Sequence, residues 1–426
     1  MPYKSIAYLS AKHQSLSLCR ERQEKDTKNP HPIQAVPDTL VVHRLFTSMT
    51  PRIAIIGAGT AGLACAIALA REGAEVDVFE RHPTLAPVGA GMLIQPGGLL
   101  ALRELGALDA FAQASVPIHR LEGRSHRSWL LVDIPYAQDL PARAVTRPAM
   151  TRVLQQRAGE LGVRLHLDAP IAALEPSRDR VLLRWGEHEQ VYEGAVIASG
   201  SGSDLAQQCG LSAPTSPYAW GALNGMISVA DWQWPTILHQ RMHGPRKLFG
   251  LMPCSYTGAQ LDIAMFWSLP VARHAQWQAS DLEAWKAELV RFWPQSRPVV
   301  DQIRDHSQFS FATYRHAWPK RLAQGRICLV GDAAHAMSPQ LGLGSTLAMG
   351  DALALARGLR RTGDIEAGFL AYARERRRRV QAFQLLSRAL TPCFQADLPA
   401  WWRDLAFGLS MRIPGFKRLM RASVGG

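Results

Sequence analysis

The residues Gly57, Gly59, Gly62 and Glu80 combine types and spacing that can hold the phosphates and sugar of a dinucleotide. The first glycine allows a tight turn, the second lets backbone amides approach a pyrophosphate, and the third lets a helix pack closely on a strand. A carboxylate at the end of the next strand can accept hydrogen bonds from a ribose diol. Because an acidic side chain disfavours a 2′-phosphate, the pattern predicts FAD or NAD rather than NADP.

The segments around these glycines read as a strand, a helix and a second strand. RIAII is the short β-branched run typical of a buried parallel strand, and EVDVF repeats that pattern. Between them, TAGLACAIALAREG has apolar residues at helical spacing, and Gly73 is the residue type expected at a helix end. Such a βαβ unit would place the phosphates at the helix N-terminus, whose partial positive charge favours anions.

A second glycine-containing segment lies far downstream. The strand-like run RICLV precedes Gly331 and Asp332, and the loop AHAMSPQLGLG precedes a helix-like segment, STLAMGDALALARGL. An aspartate that leaves a strand can accept a hydrogen bond from a sugar-like hydroxyl. A glycine-rich loop that enters a helix presents backbone amides to an electron-rich oxygen.

Together, GAGTAG with its downstream glutamate and GDAAHAMSP with its downstream GLG resemble the FAD-dependent aromatic hydroxylases of the para-hydroxybenzoate hydroxylase type. These are the class A flavoprotein monooxygenases, and the resemblance runs from about Arg52 to Arg379. It implies an α/β fold. An FAD-binding Rossmann-like domain of the glutathione-reductase type would be interleaved with a mixed β-sheet substrate domain and followed by C-terminal helices.

The resemblance also implies roles for matching residues. Asp332 would bind the ribityl chain, Pro339 would lie close to the isoalloxazine, and Arg147 in AVTRPAMTRVL would approach FAD. The amides of Leu343 and Gly344 would face the N1–C2=O edge of the flavin, where they would stabilise the negative charge of its reduced form. The predicted FAD-binding residues are Gly57, Gly59, Ala61, Gly62, Glu80, Arg81, Arg147, Asp332, Pro339, Gly342, Leu343 and Gly344.

One segment departs from the family pattern D-G-x-x-S-x-x-R. In AVIASGSGSDLAQQ the aligned positions hold Ser199, Gly200, Ser203 and Ala206, so the aspartate and the arginine are missing. In related enzymes this segment serves both FAD and the nicotinamide donor, and the change removes charge-assisted hydrogen bonds. NAD(P)H is the electron donor that the family implies, but a separate reductase stays an alternative.

The implied activity is FAD-dependent hydroxylation or epoxidation of a hydrophobic, aromatic small molecule with O₂ and NAD(P)H through a flavin C4a-hydroperoxide. One alternative is an FAD-dependent oxidase or reductase that acts on an isoprenoid or polyketide-like substrate without direct NAD(P)H reduction. A second is a scaffold that retains FAD without turnover. A flavin-dependent halogenase is disfavoured, because those enzymes use a lysine and none occurs between Met49 and Arg246.

The region from Pro217 to Phe311 has the alternation of a mixed sheet, which in this family covers the flavin and shapes the substrate pocket. Within it, SDLEAWKAELVRFWP predicts a helix capped by Ser280, with Glu283 completing a capping box. Six large apolar residues could line a substrate cavity or simply pack in the core. They are Trp220, Met226, Phe249, Met252, Phe266 and Trp267.

The sequence does not assign a catalytic residue. His239, His243 and Tyr256 are the candidates for contact with a phenolic substrate. His335, within the DAAHAM segment, is expected to hold its loop by hydrogen bonds rather than to catalyse. Arg103 fits either a phosphate contact or a solvated helix position.

Composition narrows the class of protein. Apolar residues make up 47% and charged residues 19%, which is typical of a globular chain, and no apolar run is long enough to span a membrane. The six scattered cysteines indicate reduced thiols and predict neither a disulfide framework nor a metal site. These features predict a cytoplasmic protein.

The formal net charge of +13 is concentrated near the C-terminus. Residues 372–426 contain ten arginines and one lysine against three acidic residues, a balance of +8. No nucleic-acid-binding motif accompanies them, so nucleic acid is not expected as a partner. The basic segment predicts a solvated helix face or a peripheral contact with the acidic inner face of a membrane. The oligomeric state is left open.

The predicted domain organisation has five parts. Residues 1–48 are expected to be a disordered tail or to precede the true start at Met49. The other predicted parts are the first part of the FAD-binding domain (49–216), the substrate domain (217–312), the second part of the FAD-binding domain (313–370) and basic C-terminal helices (371–426).

Overall fold

A computed structural model describes residues 50–85, 90–202, 204–211 and 215–396. Some predicted features lie outside the described residues. They are the extension at 1–48, Ser203 of the altered motif, and the segment after 396 with Trp401 and Trp402. The strands of the described part are β1 (Arg52–Ile56), β2 (Glu75–Phe79), β3 (Gly91–Ile94), β4 (Val116–Ile118), β5 (Arg120–Ser125), β6 (Leu130–Pro135), β7 (Ala142–Thr146), β8 (Arg164–His166), β9 (Ala173–Pro176), β10 (Val181–Trp185), β11 (His188–Tyr192), β12 (Gly194–Ile197), β13 (Ser216–Val229), β14 (Leu238–His243), β15 (Lys247–Thr257), β16 (Gln260–Pro270), β17 (Phe309–His316), β18 (Ala323–Gln324) and β19 (Ile327–Leu329).

Its α-helices are α1 (Thr60–Arg71), α2 (Pro96–Leu105), α3 (Leu108–Gln113), α4 (Arg147–Glu160), α5 (Leu205–Gln208), α6 (His274–Gln278), α7 (Leu282–Phe292), α8 (Arg297–Val300), α9 (Asp332–His335), α10 (Gly344–Thr362) and α11 (Ile365–Phe394).

The first sheet has six strands in the order β18-β19-β12-β1-β2-β8. All its strand pairs are parallel except β18 with β19. The central strand β1 is buried along most of its length because helices and other strands cover both faces of the sheet. The predicted strand–helix–strand unit is therefore confirmed as β1, α1 and β2, and the second predicted strand segment is β19.

The second large sheet has seven strands in the order β17-β13-β16-β15-β14-β5-β6. Its strands are antiparallel apart from the parallel pair of β14 and β5. The predicted substrate region, 217–312, supplies β13 to β16, apart from Ser216 at the start of β13, and the first half of β17. Strands β5 and β6 come from residues 120–135, which the sequence grouped with the FAD-binding part, so the two parts are interleaved at this point as well.

One face of the seven-stranded sheet packs on an aromatic core. Phe249 and Trp267 lie opposite each other on β15 and β16, and both are buried in this core. Other members come from the segment between β16 and β17, and they include Trp277, Trp285, Leu289, Trp293 and Val300. Because successive strand residues point to opposite faces, Met252 and Phe266 lie on the other side.

The helix predicted from SDLEAWKAELVRFWP forms, but its cap differs from the predicted one. Asp281 is the N-cap of α7, and its carboxylate accepts a hydrogen bond from the amide of Ala284 at 2.7 Å. Ser280 instead donates its hydroxyl to the carbonyl of Trp277. Glu283 therefore stands one position too early for a capping box, and the prediction at Ser280 was wrong because the aspartate outcompeted the serine.

The last described helix, α11, is 30 residues long and confirms the helix predicted for the basic segment. Asp364 caps it by accepting from the amide of Ala367 at 2.8 Å. Its apolar residues include the buried Phe369, Tyr372 and Val380. Among the helices of the described residues, none is both long enough and apolar enough to cross a membrane.

Candidate active site

A cavity of about 970 Å³ lies between the first sheet, the two glycine turns and the seven-stranded sheet. This volume is near the upper end of the range for small-molecule sites, roughly 300–1,000 Å³. All the predicted cofactor-binding residues line it except Gly62. The structure thus brings together two motifs that lie far apart along the chain.

The first turn has the backbone geometry that its glycines predicted. Gly57 has a φ of +106°, and a Cβ there would lie 2.6 Å from the carbonyl oxygen of Ala198. A Cβ on Gly62 would lie 1.8 Å from the carbonyl oxygen of Gly57, so only glycine lets α1 pack on the turn. A Cβ on Gly59 would meet no atom within 4 Å, because this position opens into the cavity.

Helix α1 begins at the cavity without a side-chain cap. Its N-cap is Gly59, and the first intrahelical bond runs from the amide of Leu63 to the carbonyl of Gly59. The amides at the start of α1, before that of Leu63, therefore have no acceptor within the helix. Amides of this kind, together with the helix dipole, favour a bound phosphate.

The Glu80 carboxylate is fixed beside this turn. Its Oε2 accepts from the amide of Ala58 at 2.9 Å, and its Oε1 accepts from the amide of His82 at 3.1 Å. A carboxylate oxygen can accept more than one hydrogen bond, so both keep capacity for a sugar diol. Arg81 lines the cavity at the same end.

The second turn contacts the first directly. Gly331 has a φ of +58°, and a Cβ there would lie 2.5 Å from the Cβ of Ala61. The next residue, Asp332, is exposed and lines the cavity. Two further residues precede α10. Gly342 has a left-handed backbone conformation. The N-cap residue Leu343 makes no side-chain hydrogen bond to the first amides of the helix. The first amides of α10 are therefore available to an anionic or electron-rich group.

A buried network holds the second turn in place. Asp351 accepts from the amide of Gly331 at 3.0 Å, lies 2.6 Å from Nε2 of His335 and accepts from Nε of Arg376 at 2.7 Å. Burial raises the pKa of the Asp351 carboxyl, but His335 and Arg376 outweigh this effect and hold the pKa below its ordinary value. His335 is buried and does not line the cavity, which supports the structural role expected for it.

The polar atoms of the cavity fit a ligand with many hydrogen-bonding groups. The hydroxyl of Ser199 and Oε1 of Gln340 are buried and have no hydrogen-bond partner in the described part of the chain. Arg147 is exposed at the start of α4 and lines the cavity. The open position at Gly59 adds room for a diphosphate. Gly59, Arg147 and Ser199, with the two uncapped helix ends, fit FAD.

The altered D-G-x-x-S-x-x-R segment borders the same cavity. Ser199 and Gly200 line it, whereas Ala206 is buried in α5. Asp204 and Gln208, which the sequence comparison did not single out, also line the cavity. A carboxylate is thus present at this edge, but not at the position that the family pattern uses.

Only two of the six predicted apolar candidates, Met252 and Phe266, line the cavity. Phe249 and Trp267 belong to the aromatic core on the opposite face of the sheet. Trp220 and Met226 are not among the lining residues either. Strand register determines which of these side chains line the cavity and which pack in the core, because neighbouring residues on one strand face opposite sides of the sheet.

The three predicted candidates for contact with a phenolic substrate do not line the cavity. Tyr256 is 64% exposed near the end of β15. The ring of His243 packs against that of His126 in a tilted arrangement, with ring centroids 4.0 Å apart. His239 lies beside Trp234, and burial lowers the pKa of its imidazole. Arg103, on an exposed face of α2, does not line the cavity.

Sequence reasoning missed the polar residues on the cavity face of the sheet. Asn224 lies opposite Phe266, and Gln240 lies opposite Gly250 in the pairing of β14 with β15. Because side chains alternate between the two faces of a strand, these residues could have been identified once Phe266 was known to face the cavity. The polar lining residues at the substrate end are Asn224, Gln240, Ser268, Tyr314 and Gln340.

The contrast between Gly59 and Gly62 gives a direct test of the first turn. Gly59→Ala places a methyl group in the cavity, so we expect FAD affinity to fall by on the order of 10-fold while the apoprotein loses at most about 1 kcal/mol of stability. Gly62→Ala should instead destabilise the fold by about 3 kcal/mol or more, because its Cβ overlaps the Gly57 carbonyl. Fluorescence titration with FAD and thermal unfolding measure the two effects.

Gly159→Ala is the matched control for these variants. It lies within α4, and an added Cβ there meets no atom within 4 Å. It should leave FAD affinity unchanged and stabilise the fold slightly. Unchanged FAD affinity in Gly59→Ala would contradict a diphosphate at this turn.

Several known proteins are similar to this chain in sequence and in fold. The family described as an FAD binding domain matches residues 50–386. The FAD-dependent urate hydroxylase of Klebsiella pneumoniae is 28% identical over 351 residues, which cover 78% of this chain and 88% of that protein. The 3-amino-4-hydroxybenzoate 2-monooxygenase of Streptomyces cremeus is 29% identical over 321 residues, with 71% and 77% covered.

The fold agrees with the sequence. A solved structure of 2-methyl-3-hydroxypyridine-5-carboxylic acid oxygenase superposes with a TM-score of 0.70 at 26% identity, covering 81% of this chain and 93% of that one. The predicted α/β fold and the FAD cofactor are confirmed. The chain belongs to the family of FAD-dependent aromatic hydroxylases, the class A flavoprotein monooxygenases.

Proposed function

We propose that the protein hydroxylates a small hydrophobic, aromatic molecule with O₂, using FAD and electrons from NAD(P)H. The observation that carries this proposal is the continuity of the cavity. One end is lined by the glycine turns, and the other by Met252, Phe266 and Leu238 on the sheet. The named activities of the similar proteins, on urate, an aminohydroxybenzoate and a hydroxypyridine carboxylic acid, all concern small aromatic molecules.

The residues that would hold FAD lie at both turns. Gly59 and Glu80 would receive its diphosphate and ribose, and Asp332 would bind its ribityl chain. When bound, FAD supplies the redox chemistry that activates O₂. The uncapped amides at Leu343 and Gly344 would stabilise negative charge at the edge of the ring, since both residues line the cavity and are in place before any charge develops.

The sheet face would bind and orient the substrate. Met252 and Phe266 exclude water from the reacting end of the cavity, which strengthens every polar contact within it. Asn224 and Gln240 offer amides on the same face and can orient a polar substituent. Burial raises the pKa of Tyr314, and the nearby Arg147 offsets part of this rise. Tyr314 is therefore a neutral phenol at pH 7 that can donate a hydrogen bond.

Two measurements test this function. Mixing the purified protein anaerobically with NADH or NADPH should bleach the flavin, and an aromatic substrate should accelerate the bleaching. Oxygen labelled with ¹⁸O should then appear in the product as one atom per turnover. A flavin that neither nucleotide reduces, together with oxidation of a substrate that gains no label, would instead identify an oxidase.

We further propose that the protein is cytoplasmic and contacts an anionic membrane surface through α11. Arg374, Arg377 and Arg378 have helical spacing that places them on neighbouring positions of one exposed face. No ion pair involves these three side chains in the described part of the chain. Exposed guanidinium groups without carboxylate partners favour acidic lipid headgroups. A hydrophobic substrate held in a membrane would then be close to the enzyme.

Vesicle binding tests the membrane contact. The full chain should bind vesicles that contain phosphatidylglycerol, should not bind pure phosphatidylcholine vesicles, and should be released by salt. Replacing Arg374, Arg377 and Arg378 with Gln should weaken binding by about 3 kcal/mol, on the order of 100-fold. The charge-matched control replaces the exposed Arg152, Arg178 and Arg273 with Gln. Equal binding by both variants would contradict the proposal.

A further inference from the structure

The Gln340 side chain lines the cavity at its substrate end. It lies in the 3₁₀ turn Pro339–Leu341, directly after the proline that the resemblance places beside the flavin ring. Its Nε2 donates to Oε1 of Gln395 at 2.8 Å and to the hydroxyl of Tyr218 at 3.2 Å. Two partners on two different elements thus fix both hydrogens of this amide.

The other end of the amide is unsatisfied. Oε1 of Gln340 is buried and accepts no hydrogen bond from the described residues, although Gln340 lines the cavity. A buried acceptor without a partner costs about 1–3 kcal/mol. Because the donors of the amide are already paired and Gln340 lines the cavity, Oε1 is the one polar group of this side chain that is left to pair with a bound molecule.

The partners of Gln340 are themselves held firmly. Burial raises the pKa of Tyr218 to about 12, so its phenol stays neutral and remains a hydrogen-bond partner at pH 7. Gln395 follows the last turn of α11, and this end of the helix is attached to the loop before Pro339. The hydroxyl of Ser338 lies 2.6 Å from that of Ser387 and 3.0 Å from that of Thr391.

We propose that Oε1 of Gln340 accepts a hydrogen bond from the substrate, and that Gln395 is the positioning residue that orients the amide. This inference rests on the proposed function and narrows its substrate class. The substrate is an aromatic molecule with a hydroxyl or ring N–H donor, such as a phenol or a ring lactam. An aromatic molecule whose donor is blocked would leave the buried acceptor unpaired and bind more weakly.

Matched probe pairs test the inference. One pair is 4-hydroxyquinoline, which carries a donor in either tautomer, and 4-methoxyquinoline, which carries none. A second pair is 4-hydroxybenzoate and 4-methoxybenzoate. Titration of the FAD-loaded protein, followed by the flavin absorbance, gives a dissociation constant for each probe. In the wild type we expect the donor-bearing member to bind on the order of 10-fold more tightly.

Variants separate hydrogen bonding from shape. Gln340→Met, which is similar in size, should abolish the preference, whereas Gln340→Glu, which keeps an acceptor but loses the donor to Gln395, should retain part of it. Gln395→Met should reduce the preference through loss of orientation. The exposed Gln302→Met is the control and should behave as the wild type. FAD affinity should be the same in all four variants.

The failures can be distinguished. If Gln340→Met keeps the wild-type preference, the inference is wrong and the proposed function stands. If Gln340→Met instead weakens FAD binding, Oε1 serves the cofactor and the inference is again wrong. If neither pair perturbs the flavin of the wild type, the aromatic substrate class fails, and the inference fails with it.

Discussion

The close contact of Gly331 with Ala61 is the constraint on which the site depends. The two residues belong to turns that lie far apart in sequence, and a Cβ on Gly331 would lie 2.5 Å from the Cβ of Ala61. Only the absence of a side chain lets the turns approach this closely. Their contact directs the N-termini of α1 and α10 into one cavity, so that one extended ligand can reach both.

The network around Asp351 keeps this contact in place. Its carboxylate holds the Gly331 amide on one side and the Arg376 guanidinium of α11 on the other. A buried carboxylate is stable only when it is paired, and removal of one partner commonly costs 3–5 kcal/mol. The C-terminal helix is therefore part of the cofactor site, although no residue of its basic face enters the cavity. The same helix ends at Gln395, so it also contributes to the substrate end.

The cofactor end could be predicted from sequence because its chemistry is tied to residue type. Positions such as Gly57 and Gly331 require glycine for backbone reasons, and those requirements are visible in one chain. The substrate end could not be predicted in the same way. Whether Phe249 or Phe266 faces inward depends on register between distant strands, and the pairing of β5 with β14 leaves no local signal. The orphaned oxygen of Gln340 likewise becomes visible only once Gln395 is brought beside it.

The central claim is that a single FAD bridges both turns. Calorimetric titration of the apoprotein with FAD, FMN and AMP tests it most directly, because FMN and AMP each carry one half of the bridging molecule. The account predicts one FAD per chain, bound at least on the order of 100-fold more tightly than either half, since the second contact forms within an already bound molecule. FMN binding as tight as that of FAD would contradict it.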